Sequence, residues 1–161
     1  MHPDCSTSAL QRIRSLSVAN CGITTLCPID LARCINLREL DLSNNALTGL
    51  PRCLYLPHLR RLDLSNNPQM QSVPLLEQFP RLRHLNIDEK LKEALNRQML
   101  AFFCPKMVSL NGQAFNETVS ENTRKAVHDA RLSIEPHVSC RPLEALLEAH
   151  LGAHLGVTLI F

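Results

Sequence analysis

Two histidines four residues apart, in His150-Leu-Gly-Ala-His154, have the spacing that can place two imidazoles on one metal ion. The Glu that accompanies such a pair in zinc hydrolases is missing here, no third ligand stands nearby, and Gly152 weakens any helix joining them. The seven cysteines (Cys5, Cys21, Cys27, Cys34, Cys53, Cys104 and Cys140) contain no Cys-x-x-Cys pair, and nothing in the sequence marks one as a nucleophile. The five glycines (Gly22, Gly49, Gly112, Gly152 and Gly156) form neither a phosphate-cradling loop nor a nucleophile elbow. These residues predict no enzyme, no metal, no cofactor and no small-molecule substrate. The polar groups that recur are of another kind. Asp41-Leu-Ser43 returns as Asp63-Leu-Ser65, and arginines at 14, 38, 60 and 83 each precede such a segment.

The elements that position them follow from the apolar residues between. In Leu37-Arg-Glu-Leu40-Asp-Leu42-Ser-Asn-Asn45-Ala-Leu47, apolar residues fill positions one, four, six and eleven and Asn fills position nine. This spacing gives a short strand with leucines on one side and Glu39, Asp41 and Ser43 on the other, followed by a turn that the Asn amide satisfies. It is the leucine-rich repeat pattern. Related units begin at Ile13, Leu59 and Leu82, so the starts are separated by 24, 22 and 23 residues. Cys21 and Lys90 stand in the Asn slot of the first and fourth units. One unit cannot bury its own apolar face, so stacked neighbours are required.

The expected fold is therefore α/β: a right-handed leucine-rich repeat solenoid with a short parallel concave sheet, an irregular or helical convex side and a helical C-cap. Residues 1–12 are a patternless lead-in, residues 13–132 the repeat domain with its cap, and residues 133–161 a tail with a short amphipathic helix over Leu143 to Leu151. Asp88 is expected to cap one long helix reaching Phe103, with Leu91, Leu95, Met99, Phe102 and Phe103 on one face. An incomplete fifth unit, Cys104-Pro-Lys-Met-Val-Ser-Leu-Asn-Gly112, is followed by a closing helix from Ser120 to Leu132 with Val127 and Ala130 inward.

Composition excludes other classes. Aromatic residues make up 4% and Trp is absent, which argues against base-stacking platforms, and a net charge of +2 demands no polyanion as partner. No apolar run reaches the length of a membrane span, and the polar N-terminus does not read as a signal peptide. An odd number of cysteines, several in apolar slots, points to reduced thiols inside the cell.

Read in register, the outward strand residues make three columns. The first is Ser15, Glu39, Arg61, His84 and Ser109; the second Ser17, Asp41, Asp63, Asn86 and Asn111; the third Ala19, Ser43, Ser65 and Asp88. Asp41 and Asp63 would stand about 4.8 Å apart as like charges, offset by Arg61 and by the column Arg14, Arg38, Arg60 and Arg83. Such a wall reads as a docking surface for a protein segment, formed by Glu39, Asp41, Ser43, Arg61, Asp63, Ser65, His84, Asn86 and Asp88. The arginine column suits an acidic peptide or phosphate. Direct nucleic-acid binding is not expected.

The repeat length and the Leu-Asn-Gly112 ending resemble the short intracellular leucine-rich repeat class, which includes a protein phosphatase-1 regulator, an axonemal dynein light chain and a spliceosomal protein. Arg12-Ile-Arg-Ser-Leu16, the stretch from Leu37 to Asn45, Gln78-Phe-Pro-Arg-Leu82 and the segment 104–112 are similar to the N-terminal domain of the leucine-rich repeat and WD repeat-containing family. That resemblance covers residues 12–132 and implies a nuclear, chromatin-associated scaffold acting with the origin recognition complex. No propeller repeat occurs in the chain, so functions carried by the family's propeller are not transferred; residues 133–161 read either as a segment that docks on the core or stays loose, or as the mark of a fragment or an alternative end of a longer protein. The wider class implies two alternatives, a phosphatase regulatory subunit or a dynein-type adaptor.

Overall fold

A computed structural model of the chain describes residues 5–132; the His150/His154 pair and the tail helix lie outside them. Five short strands stack in sequence order as one parallel ladder: β1 (Ser15–Ser17), β2 (Glu39–Asp41), β3 (Arg61–Asp63), β4 (His84–Asn86) and β5 (Ser109–Leu110). Leu16, Leu40, Leu62, Leu85 and Leu110 lie side by side across the sheet. Apart from half-buried Leu16, these central leucines are buried, and with Leu37, Leu42, Leu59, Leu64 and Leu82 they form the core. This is the leucine-rich repeat solenoid that the spacing predicts.

The return limbs are short or irregular, as their prolines predict. In the first, Pro28 opens helix α2 (Pro28–Arg33), where the missing N–H of proline costs nothing. The third holds a 3₁₀ turn, Leu76–Gln78, whose Gln78 amide donates to the Pro51 and Arg52 carbonyls of the limb before it.

The turns after the strands carry a signal that the apolar pattern passes over. Asn20, Asn44 and Asn66 have φ of 56°, 55° and 55°. Asn tolerates this left-handed region better than other non-glycine residues, so its recurrence one residue before the Asn slot marks the bend out of each strand. The slot itself stitches repeats together. Asn45 accepts from the Cys21 and Ile23 amides and donates to the Val18, Leu42 and Ser43 carbonyls. Asn67 accepts from the Leu47 amide and donates to the Leu42, Leu64 and Ser65 carbonyls. Where the fourth repeat lacks Asn, Lys90 donates to the Pro68 carbonyl at 2.6 Å and Asp88 accepts from the Asn66 and Asn67 amides.

Three expectations are corrected. Residues Cys5–Arg12 form a helix, α1, whose partly buried Leu10 packs on the core. The long helix to Phe103 is two, α3 (Glu89–Ala94) and α4 (Arg97–Phe103), because the Asn96 side chain caps the second by accepting from the Gln98 and Met99 amides. Its apolar face is as read: Leu91, Leu95 and Met99 are buried, Phe102 and Phe103 partly so. Lastly, the chain reverses at Asn111 and Gly112, with φ of 49° and 73°, and adds β6 (Gln113–Ala114) antiparallel to β5. Two successive positive φ values are what a two-residue hairpin of the Asn-Gly type requires. Helix α5 (Glu121–Leu132) then packs on α4 with Val127 and Thr123 buried.

Candidate functional site

Strand pairing sets the outward columns in the predicted register. Glu39 lies beside Ser15 and Arg61, and Arg61 beside His84; Asp41 lies beside Ser17 and Asp63, and Asp63 beside Asn86. The columns differ in how free their groups are. In the first, Arg61 and Glu39 are exposed; Ser15 donates weakly to Glu39 at 3.4 Å and His84 Nδ1 lies 2.8 Å from the Ser109 hydroxyl.

The second and third columns are tied together. One Asp41 oxygen accepts from the Ser43 amide at 3.0 Å and the Ser43 hydroxyl at 2.7 Å, while the other accepts from the Ser17 hydroxyl at 3.0 Å. Asp63 repeats the arrangement with the Ser65 amide and hydroxyl at 3.0 and 2.6 Å, and takes the Asn86 amide at 2.7 Å on its other oxygen. Partial burial pushes the Asp41 pKa up, but the hydrogen bonds from Ser43 and Ser17 outweigh it and hold the carboxyl below its ordinary value. The two like charges are thus accommodated by hydroxyl and amide donors. The expected arginine offset is absent: the ion pairs among the described residues are Lys92–Glu89 and Arg97–Glu117, both away from the sheet face.

Two residues of the outward columns, Asp88 of the wall and Asn111 beside it, have other duties. Asp88 gives its carboxylate to the Asn66 and Asn67 backbone amides, so it holds the neighbouring turn. Asn111 accepts from the Ile87 amide and donates to the Ile87 carbonyl, both at 2.9 Å, replacing the Asn that the fourth repeat lacks. The open groups missing from the proposed wall are the four arginines before the strands. Arg14, Arg38, Arg60 and Arg83 are exposed and occupy one rung position, each backbone amide donating to the preceding arginine's carbonyl. Their recurrence was legible in the sequence.

Among the described residues no His, Cys, Asp and Glu cluster fits a metal ion, and no helix is long and apolar enough to cross a membrane. The five cysteines whose side chains are described are free thiols. Cys34 and Cys104 are buried as the apolar slots predict, whereas Cys21, Cys27 and Cys53 are exposed. Burial raises the Cys34 pKa, which Arg33 partly opposes and Asp30 reinforces.

This register of strands, turns and cap recurs in known sequences. The sequence model for the leucine-rich repeats of leucine-rich repeat and WD repeat-containing protein 1 matches residues 3–132. The chain belongs to this family. The mouse protein of that name is 38% identical over 118 residues, covering 71% of this chain and 18% of the relative. The zebrafish (Danio rerio) protein is 28% identical over 160 residues, covering 91% of this chain and 21% of the relative. The Xenopus laevis protein is 34% identical over 80 residues, covering 49% and 11%. The chain therefore spans about a fifth of the length of the mouse and zebrafish relatives. No solved structure gives a significant match. Membership of the leucine-rich repeat and WD repeat-containing family accounts for the repeat solenoid and points to an interaction domain.

Proposed function

We propose that the chain is a non-enzymatic protein-interaction module whose open sheet face receives a segment of a protein partner in a nuclear chromatin assembly, that of the origin recognition complex. The observation that carries the reading is the contrast within the wall. The Asp41 and Asp63 columns are pinned by short hydrogen bonds, while beside them Arg61 is exposed and Glu39 takes only the long bond from Ser15. Rigid polar relief with exposed charges gives a partner geometry to read without ordering the surface first. The chromatin setting rests on family resemblance.

Proximity labelling in nucleated cells tests both parts. Glu39→Arg with Arg61→Glu inverts two adjacent exposed charges and leaves the net charge unchanged. The expected result is that origin recognition or chromatin proteins labelled by the wild type are lost with this pair and kept with Arg52→Glu plus Glu93→Arg, which makes the same exchange at exposed sites off the sheet. Enrichment of a phosphatase catalytic subunit or a dynein heavy chain instead would replace the setting; labelling insensitive to the inversion would remove the face.

A further inference from the structure

The arginines at the start of the strands form a ladder of unpaired cations. Parallel strands are about 4.8 Å apart, so Arg14, Arg38, Arg60 and Arg83 span about 14 Å from first to last. Their backbones are locked in that line by amide-to-carbonyl bonds of 2.7, 2.7 and 2.8 Å from each arginine to the one before. All four are exposed, and none makes a side-chain hydrogen bond or ion pair among the described residues. Such a row is self-repelling, yet each strand adds another copy, and Arg61 stands beside it. Two residues before the ladder position, His58, Arg81 and Lys106 supply further basic side chains, with Asn36 at that slot in the second repeat, and Arg81 donates to His58 Nδ1 at 3.2 Å.

We infer that this rim is the anchoring site for an extended acidic segment of the protein partner, lying across the strands. The inference rests on the protein-binding reading above and deepens it. An extended peptide advances about 3.3–3.4 Å per residue, so four or five consecutive residues run the length of the ladder. Guanidinium forks pair with carboxylates in two-point geometry, and rotation of the long side chains absorbs the difference in spacing. Two features favour a peptide over a nucleic acid. No Phe, Tyr or Trp occupies the ladder or the slots on either side of it, and the imidazoles of His58 and His84 are small stacking surfaces, so bases find little to stack on. Inward of the arginines stand Glu39, Asp41 and Asp63, which repel a continuous phosphate chain, whereas a peptide can turn basic or neutral residues toward them.

The test uses the full 161-residue chain and a fluorescein-labelled octaglutamate peptide followed by anisotropy at several salt concentrations. Arg38→Gln with Arg60→Gln removes the middle of the ladder, and Arg52→Gln with Arg124→Gln removes the same charge elsewhere; a thermal melt verifies that both fold. Octaglutamate binding tenfold or more weaker for the ladder pair, unchanged for the control pair and falling with salt, is expected. Equal losses in both pairs, or no binding by the wild type, would overturn the inference. So would tighter, ladder-dependent binding of a decathymidine strand, which would make the occupant a nucleic acid. Partner labelling lost on the Glu39/Arg61 inversion, with octaglutamate binding indifferent to the ladder, would sink the rim and leave the protein-binding face standing.

Discussion

Asp41 and Asp63 stand in register at the middle of the sheet, and their stability depends on donors that the same repeats supply. Ser43 and Ser65 lie two residues on and turn back to the carboxylates, which fixes their rotamers. For Asp41 the folded-state pKa is below the ordinary one, so ionised Asp41 contributes stability above about pH 4, and that contribution is lost as pH falls through the lowered value. Asp41→Asn removes the charge and keeps an acceptor. Its melting temperature should lie below the wild type at neutral pH, and the gap should narrow in buffered melts as pH falls through the lowered value. A gap that keeps the same size across that fall would show that the charge contributes nothing. Alternation put Asp41 and Asp63 on the outward face, but the serine back-bonds depend on turn geometry that alternation does not encode. The outward columns therefore read as more open in the sequence than they are, and the exposed charged groups are Glu39, Arg61 and the arginine ladder.

At the scale of the element, the Asn slot explains why units with three-residue strands hold together. Asn67 is fully buried, and its removal leaves the Leu47 amide and the Leu64 carbonyl short of a partner, while the Leu42 carbonyl keeps the Asn45 amide. Each buried orphan costs about 1–3 kcal/mol, so Asn67→Ala should destabilise by about 3 kcal/mol or more in urea unfolding. Asn66→Gly next door should cost a few tenths of that, because glycine adopts its positive φ readily and the lost bond to Asn44 is exposed. Similar costs at the two positions would refute the stitching role. The sequence shows where strands begin because leucine spacing is periodic. It hides how the fourth repeat manages without its Asn, since Lys90, Asp88 and Asn111 substitute from three different places. The split between α3 and α4 was within reach, as Asn96 is a good cap, but the continuous apolar face of Leu91, Leu95 and Met99 masks it. Asn111-Gly112 is likewise a hairpin signal, hidden because the segment also fits a fifth repeat.

Over the whole molecule, a net charge of +2 conceals a segregated surface. Basic residues line the start of the strands, carboxylates pinned by hydroxyls occupy the middle of the sheet, and the asparagine turns lie beyond. Family membership supplies the solenoid, and the charge order is what the proposed binding surface rests on. In the proposed function a protein partner reads this face and not the limbs. Isothermal titration of the purified chain against the partner found by proximity labelling measures that directly. Opposed charges at an interface cost several kcal/mol, so Glu39→Arg with Arg61→Glu should weaken Kd by tenfold or more, while Arg52→Glu with Glu93→Arg should leave it as in the wild type. A face variant that binds as tightly as the wild type, or a limb variant that loses binding, would contradict it.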